Sequence, residues 1–472
     1  MRFPSANRET SRMAKGAAWN FFHLIVGRGI SLITRVILAR ILLPEHFGVF
    51  ASIMLFIGLA TTIVDLGVQS ALIQRQGRQK GAIASSGHWL IVAFGTCIML
   101  SAIFALSPAL GGRLIDPDFI APARILIFGV LIQAFGIIPT ALLIRRREFK
   151  KLTFTESIGT VAGAALALTL ATQGAGIWTL VAQQLVSAMV TMSLQWRASR
   201  WLPSLHCNWS VLREISRYCT SITGTKSLTY ARSSLDTFVI GVTLGTWQLG
   251  IYTMAFSLTE LIRSQIGAHI SRLTLPLFSR IQSDLGMVRS AYLNGCRTMS
   301  IALFPISLII LLHADFITAN FLGVNWGEAT TPMRILSAGG LVFAAFGPCA
   351  EVLQAIGRPE LLLRTAFHNT LLLALPSMII LTSKMGLTGA GFAFLLTSIG
   401  HRVSIYFSLR EIINVRWIDL WFAIRAATYG AVAVCLFTWF FSIHSPIWLT
   451  LIASAIIYTL TIILNRGIRR LN

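Results

Sequence analysis

Apolar runs long enough to cross a bilayer recur along the whole chain, and no other feature constrains its fold as much. They fall at 18–40, 47–72, 84–107, 122–145, 153–173, 175–195, 217–243, 248–276, 292–317, 332–356, 361–383, 388–410, 419–441 and 446–464. A hydrocarbon core about 30 Å thick takes roughly 20 helical residues to span. Inside it the backbone can satisfy its own hydrogen bonds only in a helix or a closed barrel. Only 12% of the 472 residues are charged, against about 25% in a soluble domain. The predicted class is therefore an all-α integral membrane protein of about fourteen transmembrane helices.

The connections between these runs alternate in charge. One set is basic: Arg75, Arg78 and Lys80; Arg145, Arg146, Arg147, Lys150 and Lys151; Arg197, Arg200 and Arg213; Arg280 and Arg289; Arg358 and Arg364; Arg410 and Arg416; Arg466, Arg469 and Arg470. The other set holds Arg40, Arg113 and Lys384, with Asp116, Asp118 and Glu328 beside them. Lys and Arg gather on the cytoplasmic side of short loops, so both termini and every basic loop are expected in the cytoplasm. That rule also absorbs the net charge of +22 without a nucleic-acid partner. The basic N-terminal stretch lacks the apolar core and small-residue cleavage site of a signal peptide, so the first span is expected to direct insertion. The outward loops, at most about a dozen residues, leave no room for a separate catalytic fold. The six cysteines include no C-x-x-C pair and read as small core hydrophobes. His269 and His368 read as structural. No G-x-x-x-x-G-K-[ST] phosphate loop occurs, and neither cofactor nor metal is expected.

The chain repeats itself. Phe47-Gly48-Val49-Phe50-Ala51 is echoed by Leu249-Gly250-Ile251-Tyr252-Thr253, Gly174-Ala175-Gly176-Ile177 by Gly389-Ala390-Gly391-Phe392, and Pro139 by Pro348. The offsets are 202, 215 and 209 residues, as one duplication with small insertions would leave. An even number of helices per unit makes the repeats parallel. The organisation expected is a six-helix lobe over 1–195, an interfacial linker over 196–216 anchored by Trp196, Trp201 and Trp209, a second six-helix lobe over 217–410, and two further helices with a basic tail over 411–472. Gly159-xxx-Gly163 permits close helix contact, and Pro139, Pro305, Pro348 and Pro376 can kink their spans.

Charges inside the spans are the functional clue, because ionised groups at membrane depth are costly and face a bundle interior or a wet cavity. Arg28 and Arg35 lie seven residues apart, two helical turns, with Ser31 between them on one face. They serve either anion recognition, for which the guanidinium fork suits phosphate oxygens, or a buried bridge to Asp65 on the next helix. Arg297 either joins them from the second half or snorkels to the headgroups. Arg232 with Asp236, four apart, and Glu260 with Arg263, three apart, can each neutralise themselves along one helix or serve ion coupling. Asp65, Glu156 and Glu351 are further carboxyls that could take and release protons; Asp65 is the strongest of the three.

The stretch I-L-A-R-I-L-L-P-E-H-F-G-V-F-A resembles the first-helix motif of the bacterial polysaccharide flippases, within the multidrug/oligosaccharidyl-lipid/polysaccharide superfamily. Further similar stretches are D-L-G-V-Q-S-A-L-I-Q-R (65–75), L-Q-A-I-G-R-P (353–359) and G-L-T-G-A-G-F-A-F (386–394). One departure is Leu43, where members more often carry Gly before the Pro. The resemblance implies two six-helix lobes around a central cavity, moving a polyprenyl-diphosphate-linked oligosaccharide between leaflets of the bacterial inner membrane. Alternating access of the lobes, membrane lipids and other polysaccharide-assembly proteins as partners, and two outer C-terminal helices come with it. The rival readings are a drug or cation exporter of the same superfamily and a membrane-embedded polymerase or ligase. The first would favour acidic cavities, and the second would need a large outward loop.

Overall fold

The described backbone is almost wholly helical, and several of its breaks fall at a glycine in the left-handed region or beside a proline. The computed structural model describes residues 27, 29–74, 80–106, 117–204, 208–441, 453 and 456–461, with side chains in 261–273 only at Arg263 and Gly267. The described residues contain helices and no strand. The chain divides into two compact units, Met1–Phe238 and Val239–Asn472.

The first unit opens with α1 (residues 29–41), α2 (Pro44–Val64), α3 (Val68–Gln74) and α4 (Lys80–Ala105). It continues through α5 (Pro117–Leu126), α6 (Phe128–Arg145), α7 (Phe149–Thr172), α8 (Trp178–Ser199) and α9 (Trp209–Ser233). Its core joins Ile53, Leu72, Ile91, Leu126, Ile138 and Ile215. Each such side chain contributes roughly 1.5–3 kcal/mol when withdrawn from water, although against lipid the gain comes from packing instead. The G-xxx-G pair does what its spacing predicts. A Cβ on Gly159 would lie 2.7 Å from the Ser187 carbonyl and one on Gly163 2.6 Å from that of Gln183, so α7 and α8 approach to backbone contact.

The stretch expected to be an interfacial linker is docked by its first residues onto α4 and α6. Trp196 Nε1 donates to the Phe135 carbonyl (3.0 Å) and Trp89 Nε1 to that of Ser204 (2.9 Å). The backbone N–H groups of Ser204 and Asn208 donate to the buried hydroxyls of Ser85 and Ser86. Trp209, by contrast, is 70% exposed.

The second unit begins in α10 (Leu235–Ile281), two helices across a break at Gly245 (φ +83°). After α11 (Leu285–Leu312) and α12 (Ala314–Ile317) come a π-turn (Thr318–Leu322) and a 3₁₀ turn (Val324–Ala329). Next are α13 (Thr330–Phe346), α14 (Cys349–Ala355) and α15 (Pro359–Asn369). A second π-turn (Thr370–Ala374) leads to α16 (Leu375–Ile413), broken at Gly386 (φ +60°), and then α17 (Trp417–Phe441). Arg289 pairs with Asp419 at 2.6 Å, fixing α17 to α11, and Tyr458 Oη donates to the Ser300 carbonyl at 3.2 Å.

Nine described segments are long and apolar enough to cross a membrane. The longest, Pro359–Ile413, counts 55 residues and contains the Gly386 break, where the sequence separates 361–383 from 388–410. The repeated motifs are not structurally equal. Pro139 sits buried within α6, whereas Pro348 follows Gly347 (φ +55°) at the gap between α13 and α14. Pro376 lies in the first turn of α16, directly after a π-turn. The widened turn relieves the clash between the proline ring and the carbonyl four residues back.

Candidate functional site

In the first unit the polar centre is the break between α2 and α3, at Asp65-Leu66-Gly67. Leu66 (φ +48°) and Gly67 (φ +69°) both adopt left-handed backbone, a conformation that costs a non-glycine residue about 1 kcal/mol or more. Asp65 closes α2 through its backbone N–H, and its Oδ1 accepts the Gln69 N–H at 3.2 Å in α3, so one residue serves both helix ends. The residue is 6% exposed, and Lys226 Nζ on α9 reaches its Oδ2 at 2.5 Å. α9 fits there because Gly67 has no side chain: a Cβ would come within 2.7 Å of the Cys219 carbonyl. Tyr230 Oη, one turn beyond Lys226, donates to the Leu55 carbonyl at 2.9 Å beside Gly58. A discontinuous span with an ionised residue at its break is a common setting for binding sites in transporters.

The second unit has a different centre. Glu260 and Arg263 pair along α10 as their spacing allows. The Arg263 guanidinium stands 4.7 Å from the Phe343 ring centroid, and Arg402 from α16 stands 4.2 Å from the same ring. Arg402 also donates to Cys349 Sγ (3.3 Å) and the Gly347 carbonyl (3.4 Å) at the α13–α14 break. Two guanidinium groups thus share one aromatic ring, an interaction worth about 0.5–2 kcal/mol each. Beside them a narrow cleft, with room for little more than one water, is lined by Glu260, Arg263, Thr259, Ser307, Ser337 and Phe394.

The sequence-derived candidates are scattered over these features. Arg28 lies outside the described residues, as does the side chain of His269. Arg35 is exposed on α1, and Arg297 is half-buried on α11. Asp236 opens α10 and accepts the Thr237 N–H at 2.8 Å. Asp65 and Glu260 stand at the two centres described. Lys226, Phe343 and Arg402 carry no signal in the sequence. Lys226 is 161 residues from its partner, and the partners of Arg402 are a ring, a thiol and a carbonyl, none of which announces a cation.

The family is given by a profile that covers more than half of the chain. The profile of a family described as polysaccharide biosynthesis protein matches residues 37–331. The lipopolysaccharide biosynthesis protein WzxC of Escherichia coli (strain K12) is 25% identical over 403 residues, 83% of this chain and 80% of that protein. The succinoglycan biosynthesis transport protein ExoT of Rhizobium meliloti (strain 1021) is 24% identical over 359 residues, 76% of this chain and 72% of that one. Among solved structures, the lipid II flippase MurJ in an inward closed conformation gives a TM-score of 0.76 at 14% identity, covering 95% of this chain and 97% of its own. An inward-facing multidrug resistance MATE family transporter gives 0.65 at 18% identity, over 82% and 94%. At these identities the structural likeness speaks for the fold alone.

Proposed function

The chain belongs to the polysaccharide biosynthesis protein family, and from that premise we propose that it is a secondary transporter flipping a polyprenyl-diphosphate-linked oligosaccharide across the bacterial cytoplasmic membrane. One observation carries this reading: similarity to proteins named for lipopolysaccharide biosynthesis and succinoglycan transport extends over three quarters or more of the chain. The physical task is to take a glycan and two phosphates through hydrocarbon while the prenyl tail stays in lipid. Alternating access of the two lobes would open a polar path to each side in turn. Arg28, Arg35 and Arg297 are the residues proposed to meet the diphosphate, since guanidinium binds phosphate oxygens in a fork. Asp65, Asp236 and Glu260 are proposed for ion coupling.

A drug or cation exporter is the second reading, favoured by the MATE-like fold. The Glu260 carboxylate in the described cleft is matched by Arg263, which fits a cation pocket poorly. The test is reconstitution into vesicles, with a lipid-linked oligosaccharide followed by its accessibility to an enzyme outside. Transfer that needs the protein is expected, and Arg28→Ala with Arg35→Ala should slow it at least tenfold. Transfer at the wild-type rate would sink the anion site, and no transfer by the unaltered chain would sink the flippase reading.

A further inference from the structure

Arg402 carries a charge that no carboxylate answers. It stands eleven residues before the end of α16 at Ile413, about 16 Å along the helix axis. That places it well inside Pro359–Ile413, a segment apolar enough to cross a membrane. An arginine at such depth is costly unless something polar meets it. The Glu260 carboxylate is already held by Arg263. Among the described residues Arg402 meets only the Phe343 ring, the Cys349 thiol and the Gly347 carbonyl. Both hydrogen bonds leave from Nη1. The Nε–H and Nη2–H donors, side by side on another edge of the guanidinium plane, have no partner among the described residues. Such an edge takes a phosphate with two parallel bonds.

The Nη1 bonds end at a break in the chain. Gly347 and Pro348 interrupt the helix between α13 and α14, and three carbonyls there accept from side chains. Ser300 Oγ donates to that of Ala344 (3.1 Å), Tyr292 Oη to that of Phe346 (2.9 Å) and Arg402 to that of Gly347 (3.4 Å). The first two donors are neutral and fully buried. The third is charged, only partly buried, and at the outer limit of hydrogen-bonding distance. Against α11 the break is held by packing: a Cβ on Gly347 would lie 2.8 Å from Cys296 Cα, and one on Gly295 2.7 Å from Pro348 Cγ. Toward α16, Arg402 supplies its hydrogen bonds.

We propose that Arg402 is an anion-operated clasp. Phosphate oxygens of the carried lipid bind its Nε–Nη2 edge and draw the guanidinium off the Gly347 carbonyl and the Cys349 thiol, which frees the α13–α14 break to bend. A bond to an ionised oxygen is shorter and about twice as strong as one to a neutral acceptor. The anion therefore wins against a carbonyl and a weakly accepting sulfur. The guanidinium is a rigid plane, and its bonds to the break already measure 3.3 and 3.4 Å. A shift of a few tenths of an ångström toward the anion breaks them. The identity of the anion rests on the flippase reading, to which the clasp adds the local event that binding would trigger.

Cys349, fully buried, reports the state of the clasp. The full chain in detergent is treated with a maleimide, alone and with a polyprenyl diphosphate that carries no sugar, and labels are located by mass spectrometry. The diphosphate should speed labelling of Cys349 at least fivefold and leave that of Cys219, buried in the first unit, within twofold. Arg402→Gln should label fast without the diphosphate and gain less than twofold from it. Arg402→Lys, which keeps the charge but not the fork, should lose most of the response and guards against a Gln variant that does not fold. Tyr292→Phe loosens the same break through a neutral bond and should keep the response. No acceleration in the unaltered chain, equal acceleration at Cys219, or an undiminished response in both Arg402 variants would overturn the clasp. Equal acceleration by phosphatidylglycerol at the same mole fraction would overturn it too, because any lipid phosphate would then do. Transfer in vesicles separates the two readings. A chain that moves the lipid-linked oligosaccharide but never frees Cys349 loses the clasp alone. A chain that frees Cys349 yet moves no lipid loses the flippase reading and keeps Arg402 as an anion sensor.

Discussion

Lys226 and Asp65 show how much one long-range pair can decide. The Asp65 carboxylate is 9% exposed and the Lys226 side chain 38%, so removing the lysine leaves a carboxylate that water reaches poorly. Stranding a buried charge costs about 3–5 kcal/mol; the partial exposure of the lysine lowers the expectation here to about 1–3 kcal/mol. Lys226→Met should therefore depress the unfolding temperature in detergent, Asp65→Asn should depress it less, and the double variant should recover part of the loss. Strictly additive losses would mean the pair is not coupled. Asp65→Asn should also abolish any dependence of transport on a pH gradient, and an unaltered dependence would remove Asp65 from coupling. At this scale the sequence was legible where partners are local. Glu260 and Arg263 are three residues apart, and helix geometry alone brings them together. It was silent on Lys226, because a lone lysine among hydroxyls gives no hint of an aspartate on another helix. The basic loop residues carried more than topology: Arg145 donates to the Leu72 carbonyl (2.6 Å) and Arg146 to that of Ser199 (2.5 Å), closing helix ends that charge counting treats as orientation signals.

The helices themselves were legible from apolar run length, and their breaks only in part. Gly174 and Gly176 do turn the chain before α8, with φ of +76° and +55°. The repeat suggested that Gly389 opens the corresponding helix, but the turn glycine is Gly386. Gly389 instead sits where a Cβ would come within 1.9 Å of the Leu381 carbonyl, so its role is close approach across the turn. A motif match fixes residue types, and backbone conformation decides which of two nearby glycines bends. The α7–α8 contact gives a sharper prediction. Gly163→Val must displace either the Gln183 carbonyl or the Ser187 side chain, with overpacking costs of about 1–3 kcal/mol. It should lower thermal stability clearly more than Gly174→Ala, which meets no neighbour within 4 Å and bears only the left-handed backbone penalty. Equal effects would mean that α7 and α8 are less tightly apposed than the geometry states. The π-turn before Pro376 makes a second case. Pro376→Ala can restore the missing N–H and let α16 run back regularly into Thr370–Ala374. Amide exchange across that turn should therefore slow, and unchanged exchange would show that Pro376 is not what widens it.

Charge governs the behaviour of the whole molecule. Lys and Arg concentrate in the connections between apolar runs, the pattern by which orientation is encoded, and the all-helical class was readable from run length. Which cations enter the transport path was not, since burial and wetness depend on packing across helices distant in sequence. The proposed cargo sharpens this point, because a diphosphate crosses an electric field. Each elementary charge moved through 100 mV is worth about 2.3 kcal/mol. A cargo carrying about two negative charges would therefore gain roughly 4–5 kcal/mol on leaving a compartment that is negative inside. At about 1.4 kcal/mol per decade this shifts the leaflet distribution by about a thousandfold with no coupling ion. Vesicles with an imposed potassium diffusion potential can measure it, with the lipid-linked oligosaccharide starting in the leaflet on the negative side. If bare cargo charge moves, the final distribution should follow the potential with that steepness, and reversing the potential should reverse it. If arginine side chains travel with the phosphates and neutralise them, the distribution should ignore the potential and the dependence on a pH gradient should dominate. The first outcome makes the arginines a stationary lining, past which the phosphates move. The second makes them part of the moving element, and only then does a proton taken up at Asp65 have work to do.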